Sequence, residues 1–196
     1  CALPIYARAG NRACTRAAPA VVGALTQALL FDVDGTLCLT GGAGQRAMVA
    51  AFAELFDIRG PLETVPMAGR TDAFILAKLA EAHGITDPDA LEQFRVCYLA
   101  RLASEIQQPG PRKGVMPGVR ALLDALTPRA DVHLALLTGN FAEGARAKLE
   151  YFDLWRYFRG GAFGDVAHDR RVLVAEAVES IRSEEHTFEL QSRFGI

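Results

Sequence analysis

The sequence predicts an α/β protein in which a parallel sheet carries an inserted helical unit. Two short, uninterrupted apolar runs predict buried strands, Ala28 to Phe31 and Val132 to Leu137. Between these runs, apolar residues recur at helical spacing. Gly- and Pro-rich segments at residues 40–44 and 108–111 flank that helical stretch. Because the flanking segments are flexible in composition, the helical unit is expected to move as a lid over the sheet.

Polar residues follow both predicted strands at once. Asp32-Val-Asp34-Gly-Thr36 comes after the first strand, and Thr138-Gly-Asn140 comes after the second. In an open parallel sheet, the carboxyl ends of the strands form the edge where ligands bind. The two polar segments are therefore expected to meet in one crevice.

Capping signals delimit the helices of the inserted unit. Asp87 followed by Pro88 predicts the start of one helix, and Gly84 predicts the end of the preceding one. Asp72 is expected to be the N-cap residue of that preceding helix. The apolar stripes that mark the three helices lie within residues 48–56, 75–79 and 91–106.

Composition excludes several classes of protein. Of 196 residues, 51% are hydrophobic and 22% are charged, which excludes a disordered polymer. A net charge of −2 gives no bulk attraction to nucleic acid or to anionic lipid. The longest uncharged run, residues 17–31, is too short to span a membrane. Four dispersed cysteines indicate neither a zinc site nor a disulfide scaffold, so a cytoplasmic location is predicted.

The two ends differ in composition from the middle. The first 31 residues carry three arginines and no acidic residue, and residues 1–25 are expected to be a poorly ordered leader, with a transit peptide as the alternative. Residues 182–196 resemble a translated sequencing adapter and are excluded from the fold prediction. The remaining chain divides into a core, 26–42 with 112–181, and a helical cap, 43–111.

Three motifs in order resemble those of the haloacid dehalogenase superfamily. Asp32, Asp34 and Thr36 match the first motif, Asp-x-Asp-x-Thr. Thr138, at the end of a hydrophobic strand, matches the second, and Lys148, on the following helix, matches the third. The resemblance covers most of residues 28 to 181. It implies a Rossmann-like core with an inserted helical cap.

The resemblance also implies roles for these residues. Asp32 would attack phosphorus and form an aspartyl-phosphate, while Asp34 would act as general acid and base. Lys148 would neutralise negative charge. The side chain of Asp32 and the backbone carbonyl of Asp34 would coordinate Mg²⁺. The residues that would bind the phosphate are Gly35, Thr36, Thr138, Gly139, Asn140 and Lys148.

The fourth motif of the family, an acidic pair after another hydrophobic strand, is not found. Gly164-Asp165, with Asp169 four residues beyond Asp165, has the required spacing but lacks a preceding hydrophobic strand. The adapter-like tail begins where that strand is expected. The chain is therefore expected to be an incomplete core that lacks one metal ligand and is weak or inactive as an enzyme.

Two features indicate the branch of the family. Asp34 is an acid that phosphatases and phosphomutases need and dehalogenases do not. The helical cap and the segment Gly69-Arg-Thr-Asp72 resemble the phosphoglycolate phosphatase and β-phosphoglucomutase branch, in which Arg70 would reach a substrate anion from the cap. A magnesium-dependent phosphatase acting on a small phosphorylated metabolite is predicted. A phosphomutase and a non-catalytic phosphate-binding fragment remain alternatives, and the oligomeric state is left open.

Overall fold

The computed structural model describes residues 27–59, 69–165 and 172–181. A parallel sheet contains β1 (Gln27–Phe31), β4 (Val132–Leu137) and β5 (Gly161–Ala162) in the order β1-β4-β5. A small antiparallel pair joins β2 (Cys38–Leu39) to β3 (Gly114–Val115). The two predicted strands are confirmed, and they are direct neighbours.

Three of the described helices lie between β2 and β3, as predicted for the inserted unit. They are α1 (Ala43–Phe56), α2 (Asp72–Ala82) and α3 (Pro88–Glu105). The later helices are α4 (Val119–Leu126), α5 (Ala142–Tyr151), a 3₁₀ turn at Trp155–Tyr157 and α6 at residues 172–181. The mixed α/β class is confirmed.

The capping predictions have different outcomes. Asp87 is the N-cap residue of α3, where its carboxylate accepts a hydrogen bond from Asp89 N at 3.0 Å, and Pro88 occupies the first turn. The prediction that Asp72 caps α2 is wrong by one residue. Thr71 is the N-cap, with its hydroxyl accepting from Phe74 N at 3.1 Å. The side chain of Asp72 is thereby left for another contact, described below.

Aromatic packing holds the cap helices together. Phe52 of α1 and Phe94 of α3 are fully buried, with their ring centroids 4.5 Å apart. Tyr98, one turn further along α3, packs edge-on against Phe141 from the segment after β4. Hydrophobic burial of this kind is the main stabilising term of such a helical unit. The contact with Phe141 joins the cap to the sheet.

The two chain segments that enter and leave the cap touch each other. A Cβ atom added to Gly110 would lie 2.4 Å from the carbonyl oxygen of Gly41, so only glycine permits this approach. Arg46 lies across the same place and donates both to Gly41 O and to the carboxylate of Glu105, each at 2.7 Å. The predicted Gly- and Pro-rich segments therefore form one junction between the cap helices and the rest of the fold.

Among the described residues, β1 pairs on one side only, with β4. Helix α6 packs on the sheet through Leu173 and Ala177, next to Ala162. No described helix is both long enough and apolar enough to cross a membrane. The predicted leader, the adapter-like tail and Asp169 lie outside the described residues.

Candidate active site

The loops after β1 and β4 emerge at the same edge of the sheet. Phe31 pairs with Leu136 in a parallel register, so the residues that follow each strand leave the sheet side by side. Asp32 and Asp34 belong to the first loop, and Thr138 and Asn140 belong to the second. The expected crevice is thus formed by neighbouring strands.

Asn140 is the centre of a hydrogen-bond network. Its Nδ2 donates to a carboxylate oxygen of Asp34 at 2.8 Å and to the hydroxyl of Thr138 at 2.7 Å. Its Oδ1 accepts from Lys148 Nζ at 2.6 Å. Lys148 Nζ also donates to the same Asp34 oxygen at 2.8 Å. Since the amide faces two acceptors with its NH₂ group and an ammonium with its oxygen, the opposite orientation would be repulsive.

The ammonium of Lys148 is almost completely buried, with 4% of the residue exposed. Burial is the largest single effect and lowers the pKa of the ammonium. The negative charge of Asp34, the hydrogen bond to it and the other acidic groups nearby together outweigh burial and raise the pKa of Lys148 above its ordinary value. Burial likewise acts to raise the pKa of Asp34. The charge of Lys148 and the hydrogen bonds from Lys148 and Asn140 prevail and lower it. Both groups are therefore ionised at neutral pH.

The remaining residues predicted after β1 form a compact loop. Asp32 accepts a hydrogen bond from Val33 N through its carboxylate at 2.9 Å. Gly35 has a φ of +81°, a conformation that favours glycine, and its N–H donates to Cys38 O at 3.0 Å. Thr36 N donates to Val33 O at 3.4 Å, and Thr36 is exposed. In this conformation these two backbone N–H groups hold the loop itself.

The start of α2 in the cap docks directly on the loop after β4. Asp72 N donates to Gly139 O at 2.6 Å, and Ala73 N donates to Gly164 O at 3.2 Å. These are N–H groups of the first helical turn, which have no acceptor within their own helix. A Cβ atom on Gly139 would lie 2.3 Å from Arg70 O, and one on Gly164 would lie 2.0 Å from Gly139 O. Both glycines are thus required for the close approach of backbones.

Two carboxylates from distant parts of the chain cap helix α5. The side chain of Phe141, the N-cap residue of this helix, makes no capping hydrogen bond. Asp72 accepts from Phe141 N and Asp165 accepts from Ala142 N, both at 3.0 Å. Asp165 also forms an ion pair with Arg95 of α3 at 2.7 Å. Asp165 thus lies at the N-terminus of α5, where negative charge is favourable, and its partners there are Ala142 N and Arg95.

Arg70 lies at the point where the cap meets the loop after β4. Its backbone packs on Gly139, as described above, while its side chain is exposed and its guanidinium lies 5.0 Å from the ring centroid of Phe74. The backbone of Arg70 thus lies against Gly139, in the loop after β4. The role of Arg70 towards a substrate stays a prediction.

The oxygen donors at the crevice fit a magnesium ion that keeps water ligands. Asp32 supplies a carboxylate directly after β1. Mg²⁺ is commonly held by one or two carboxylates together with phosphate oxygens and waters. Within residues 27–59, 69–165 and 172–181, no group of three or more His, Cys, Asp or Glu side chains is arranged to hold a metal ion. Asp32 would supply the protein carboxylate of such a site.

Two residues have contacts near the start of α5 that were not predicted from the sequence, Asp72 and Arg95. Asp72 was expected to cap its own helix, and it caps α5 instead, 69 positions along the chain. Arg95 bridges the carboxylates of Asp165 and Glu143, both at 2.7 Å. No spacing rule relates residues so far apart. The sequence contains one clue to the role of Asp72. Thr71, immediately before it, can cap α2 and leaves the side chain of Asp72 free for another contact.

The parallel sheet, the helical cap and the polar network at the strand ends define a Rossmann-like α/β protein with a capped crevice. The family model for haloacid dehalogenase-like hydrolases matches residues 29–194. The chain belongs to that family, which confirms the resemblance drawn from the motifs. No curated protein sequence matches the chain significantly.

Solved structures with the same fold include CbbY from Rhodobacter sphaeroides, in complex with phosphate. It is 21% identical, with a TM-score of 0.60 over 79% of this chain and 72% of CbbY. A predicted phosphatase from Clostridium acetobutylicum is 22% identical, with a TM-score of 0.54 over 81% and 72%. A predicted phosphoglycolate phosphatase from Haemophilus somnus is 15% identical, with a TM-score of 0.54; the matched part covers 74% of this chain and 65% of that one.

Proposed function

We propose that this protein is a magnesium-dependent phosphatase that hydrolyses a small phosphorylated metabolite through a phosphorylated Asp32. The observation that carries the proposal is the network of Thr138, Asn140, Lys148 and Asp34 at the strand ends beside Asp32. The fold neighbour CbbY is described as a complex with phosphate, which is consistent with a phosphate site on this fold.

The chemistry of the first step follows from the two carboxylates. An oxygen of Asp32 forms a bond to phosphorus, and the bond between phosphorus and the leaving oxygen breaks. Asp34 is ionised in the free protein, so it first takes up a proton from solvent or from an acidic phosphate monoester and then donates it to the leaving alcohol. A bound magnesium ion would reduce the repulsion between Asp32 and the phosphate.

The second step regenerates the enzyme. The oxygen of a water molecule forms a bond to phosphorus, and Asp34 takes the proton that the water loses. The bond between phosphorus and Asp32 then breaks, which restores the carboxylate of Asp32. Asp34 returns to its ionised state when it gives the proton to solvent or to the departing phosphate. Asp34 is suited to accept this proton because its ion pair with Lys148 keeps it ionised at neutral pH.

The buried polar groups would hold the transferred phosphoryl group. Thr138 accepts hydrogen bonds from Asn140, so its own O–H is the group that would donate to a phosphoryl oxygen. Lys148 would stabilise negative charge from a position that is fixed by Asn140 and Asp34. Phosphoryl transfer depends mainly on such positioning and electrostatic stabilisation.

The test is release of inorganic phosphate from p-nitrophenyl phosphate in the presence of Mg²⁺. Asp32→Asn is expected to lower kcat by at least about a thousandfold, because the amide cannot form the covalent intermediate. Asp57→Asn is the matched control, since Asp57 is an exposed aspartate at a left-handed position that asparagine tolerates. It should remain within about twofold of the unsubstituted protein.

Equal turnover by Asp32→Asn and the unsubstituted protein would overturn the proposal. So would failure of the unsubstituted protein to release phosphate while it still binds Mg²⁺ and beryllium fluoride, a phosphate mimic, in calorimetry. The same assay with β-glucose 1-phosphate separates hydrolysis from isomerisation. Appearance of the isomerised sugar phosphate without free phosphate would indicate a phosphomutase instead.

A further inference from the structure

Asp72 belongs to the cap, yet its side chain contacts the loop that carries Asn140. The carboxylate accepts a hydrogen bond from Phe141 N at 3.0 Å, and the backbone N–H of Asp72 donates to Gly139 O at 2.6 Å. Asp72 therefore forms hydrogen bonds with the residues immediately before and after Asn140. No described hydrogen bond from another cap side chain reaches a backbone group of residues 138–141.

Further backbone contacts restrict the conformation of the loop 138–141. Gly139 and Gly164 pack backbone against backbone, and Gly164 N donates to Asn140 O at 2.7 Å. The side chain of Asn140 is buried and holds both Asp34 and Lys148. A shift of the loop would therefore move the proton-transferring carboxylate and the buried ammonium together.

We infer that Asp72 is a positioning residue, which fixes the loop 138–141 from the cap so that Asn140 can align Asp34 and Lys148. This inference rests on the proposed phosphatase function. Asp72 is not placed in contact with the substrate. It acts through Phe141 N and Gly139 O, and it makes these contacts only while the cap is docked.

The test compares Asp72→Ala with Asp72→Asn. Alanine removes the acceptor for Phe141 N, whereas asparagine keeps an oxygen in the same place. With p-nitrophenyl phosphate and Mg²⁺, Asp72→Ala is expected to lower kcat roughly 10- to 100-fold with little change in KM, because misplaced groups affect the reacting state most. Asp72→Asn is expected to stay within about threefold of the unsubstituted protein, since it keeps the acceptor.

Asp89→Ala is the matched control. Asp89 also lies in the first turn of a cap helix, but it is exposed on α3. It should leave kcat unchanged. Amide hydrogen exchange gives a readout that does not depend on turnover: the amide of Phe141 should lose protection in Asp72→Ala and keep it in Asp72→Asn and Asp89→Ala.

Two results would overturn the inference. One is an Asp72→Ala variant with the kcat and the Phe141 protection of the Asp89→Ala control. The other is an equal loss of kcat in Asp72→Ala and Asp72→Asn, which would show that the acceptor oxygen is not what matters. If the unsubstituted protein released no phosphate but Phe141 protection changed as expected, the phosphatase proposal would fail while the contact made by Asp72 would stand.

Discussion

At the scale of single residues, Asp34 and Asp72 show how the surroundings set the charge of the same side chain. Burial acts to raise the pKa of both carboxylates. For Asp34, the charge of Lys148 and the hydrogen bonds from Lys148 and Asn140 together outweigh burial, and the pKa falls below its ordinary value. For Asp72, burial prevails over the attraction of Lys148 and the hydrogen bond from Phe141, and the pKa rises to about 6. A direct cationic partner makes the difference.

The raised pKa of Asp72 predicts a stability that depends on pH. Between its ordinary value of 3.8 and about 6, the folded protein keeps a proton on Asp72 that the unfolded chain has released. The contribution of Asp72 to the free energy of unfolding therefore falls as pH rises through this window. Asp72→Asn, which removes the titration, is expected to be more stable than the unsubstituted protein at pH 7.5 by about 1–3 kcal/mol.

Urea unfolding at pH 4, 5, 6 and 7.5 measures this difference. The advantage of Asp72→Asn should shrink towards pH 4, because the pH then approaches 3.8, the value below which the unfolded chain also keeps this proton. Three charged groups act on the carboxylate of Asp72, namely Lys148, Asp34 and Asp165. All three are unchanged in the variant. Asp89→Asn, at an exposed position, should show no such trend. An advantage that is independent of pH would contradict the assignment.

At the scale of elements, the start of α5 depends on groups that come from outside it. The first N–H groups of a helix need acceptors, and Phe141, the N-cap residue, provides none from its side chain. The cap contributes Asp72, and the segment after β5 contributes Asp165. The helix that carries Lys148 is therefore positioned by its tertiary contacts as well as by its own sequence.

Gly139→Ala tests the packing at this junction. The added Cβ would lie 2.3 Å from Arg70 O, a backbone atom that cannot turn away. The substitution is expected to lower the free energy of unfolding by about 1–3 kcal/mol and to displace the cap. Gly144→Ala is the matched control, because its Cβ would make only ordinary contacts, the nearest at 3.7 Å, and alanine favours the helix.

Urea unfolding of the two alanine variants provides the comparison. Gly144→Ala is expected to be as stable as the unsubstituted protein or more so, by up to about 1 kcal/mol. If Gly139→Ala were as stable as Gly144→Ala, the backbone of the cap could not lie as close to the loop after β4 as the structure shows.

At the scale of the whole molecule, two hydrophobic clusters meet along α3 and α5. One cluster fills the cap and includes Phe141 from the loop after β4, and the other lies between the sheet and α4 and α5. Leu102 of α3 is fully buried and approaches Gly144 of α5. Because apolar packing continues across this boundary, the cap and the sheet are expected to unfold together.

Leu102→Ala is expected to lower the free energy of unfolding of the whole protein by about 2–5 kcal/mol, as large-to-small substitutions in a core do. Val96→Ala, on the same helix but 61% exposed, should change it by no more than about 0.5 kcal/mol. Circular dichroism and tyrosine fluorescence should report one coincident transition. A separate early transition for Leu102→Ala, in fluorescence alone, would contradict cooperative unfolding.

Local patterns predicted the elements that form from nearby residues. The apolar runs located β1 and β4 within one residue, and the Asp87-Pro88 pair located the start of α3. Asp32, Asp34 and Thr138 were predicted to share one crevice because the carboxyl ends of neighbouring parallel strands share an edge. The resemblance to the family added Lys148. The short strands β2, β3 and β5 were not predicted, because two-residue pairings leave no periodic pattern.

Residue types and their spacing established four properties of this protein. They are its α/β class, its inserted helices, its family and the identity of the polar groups at the strand ends. These depend on local periodicity and on short motifs. Tertiary packing decided the partners of those groups: Lys148 with Asp34 and Asn140, Asp165 with Arg95, and Asp72 with Phe141. Such partnerships join residues 8 to 114 positions apart, and they depend on burial and charge that only the folded chain creates.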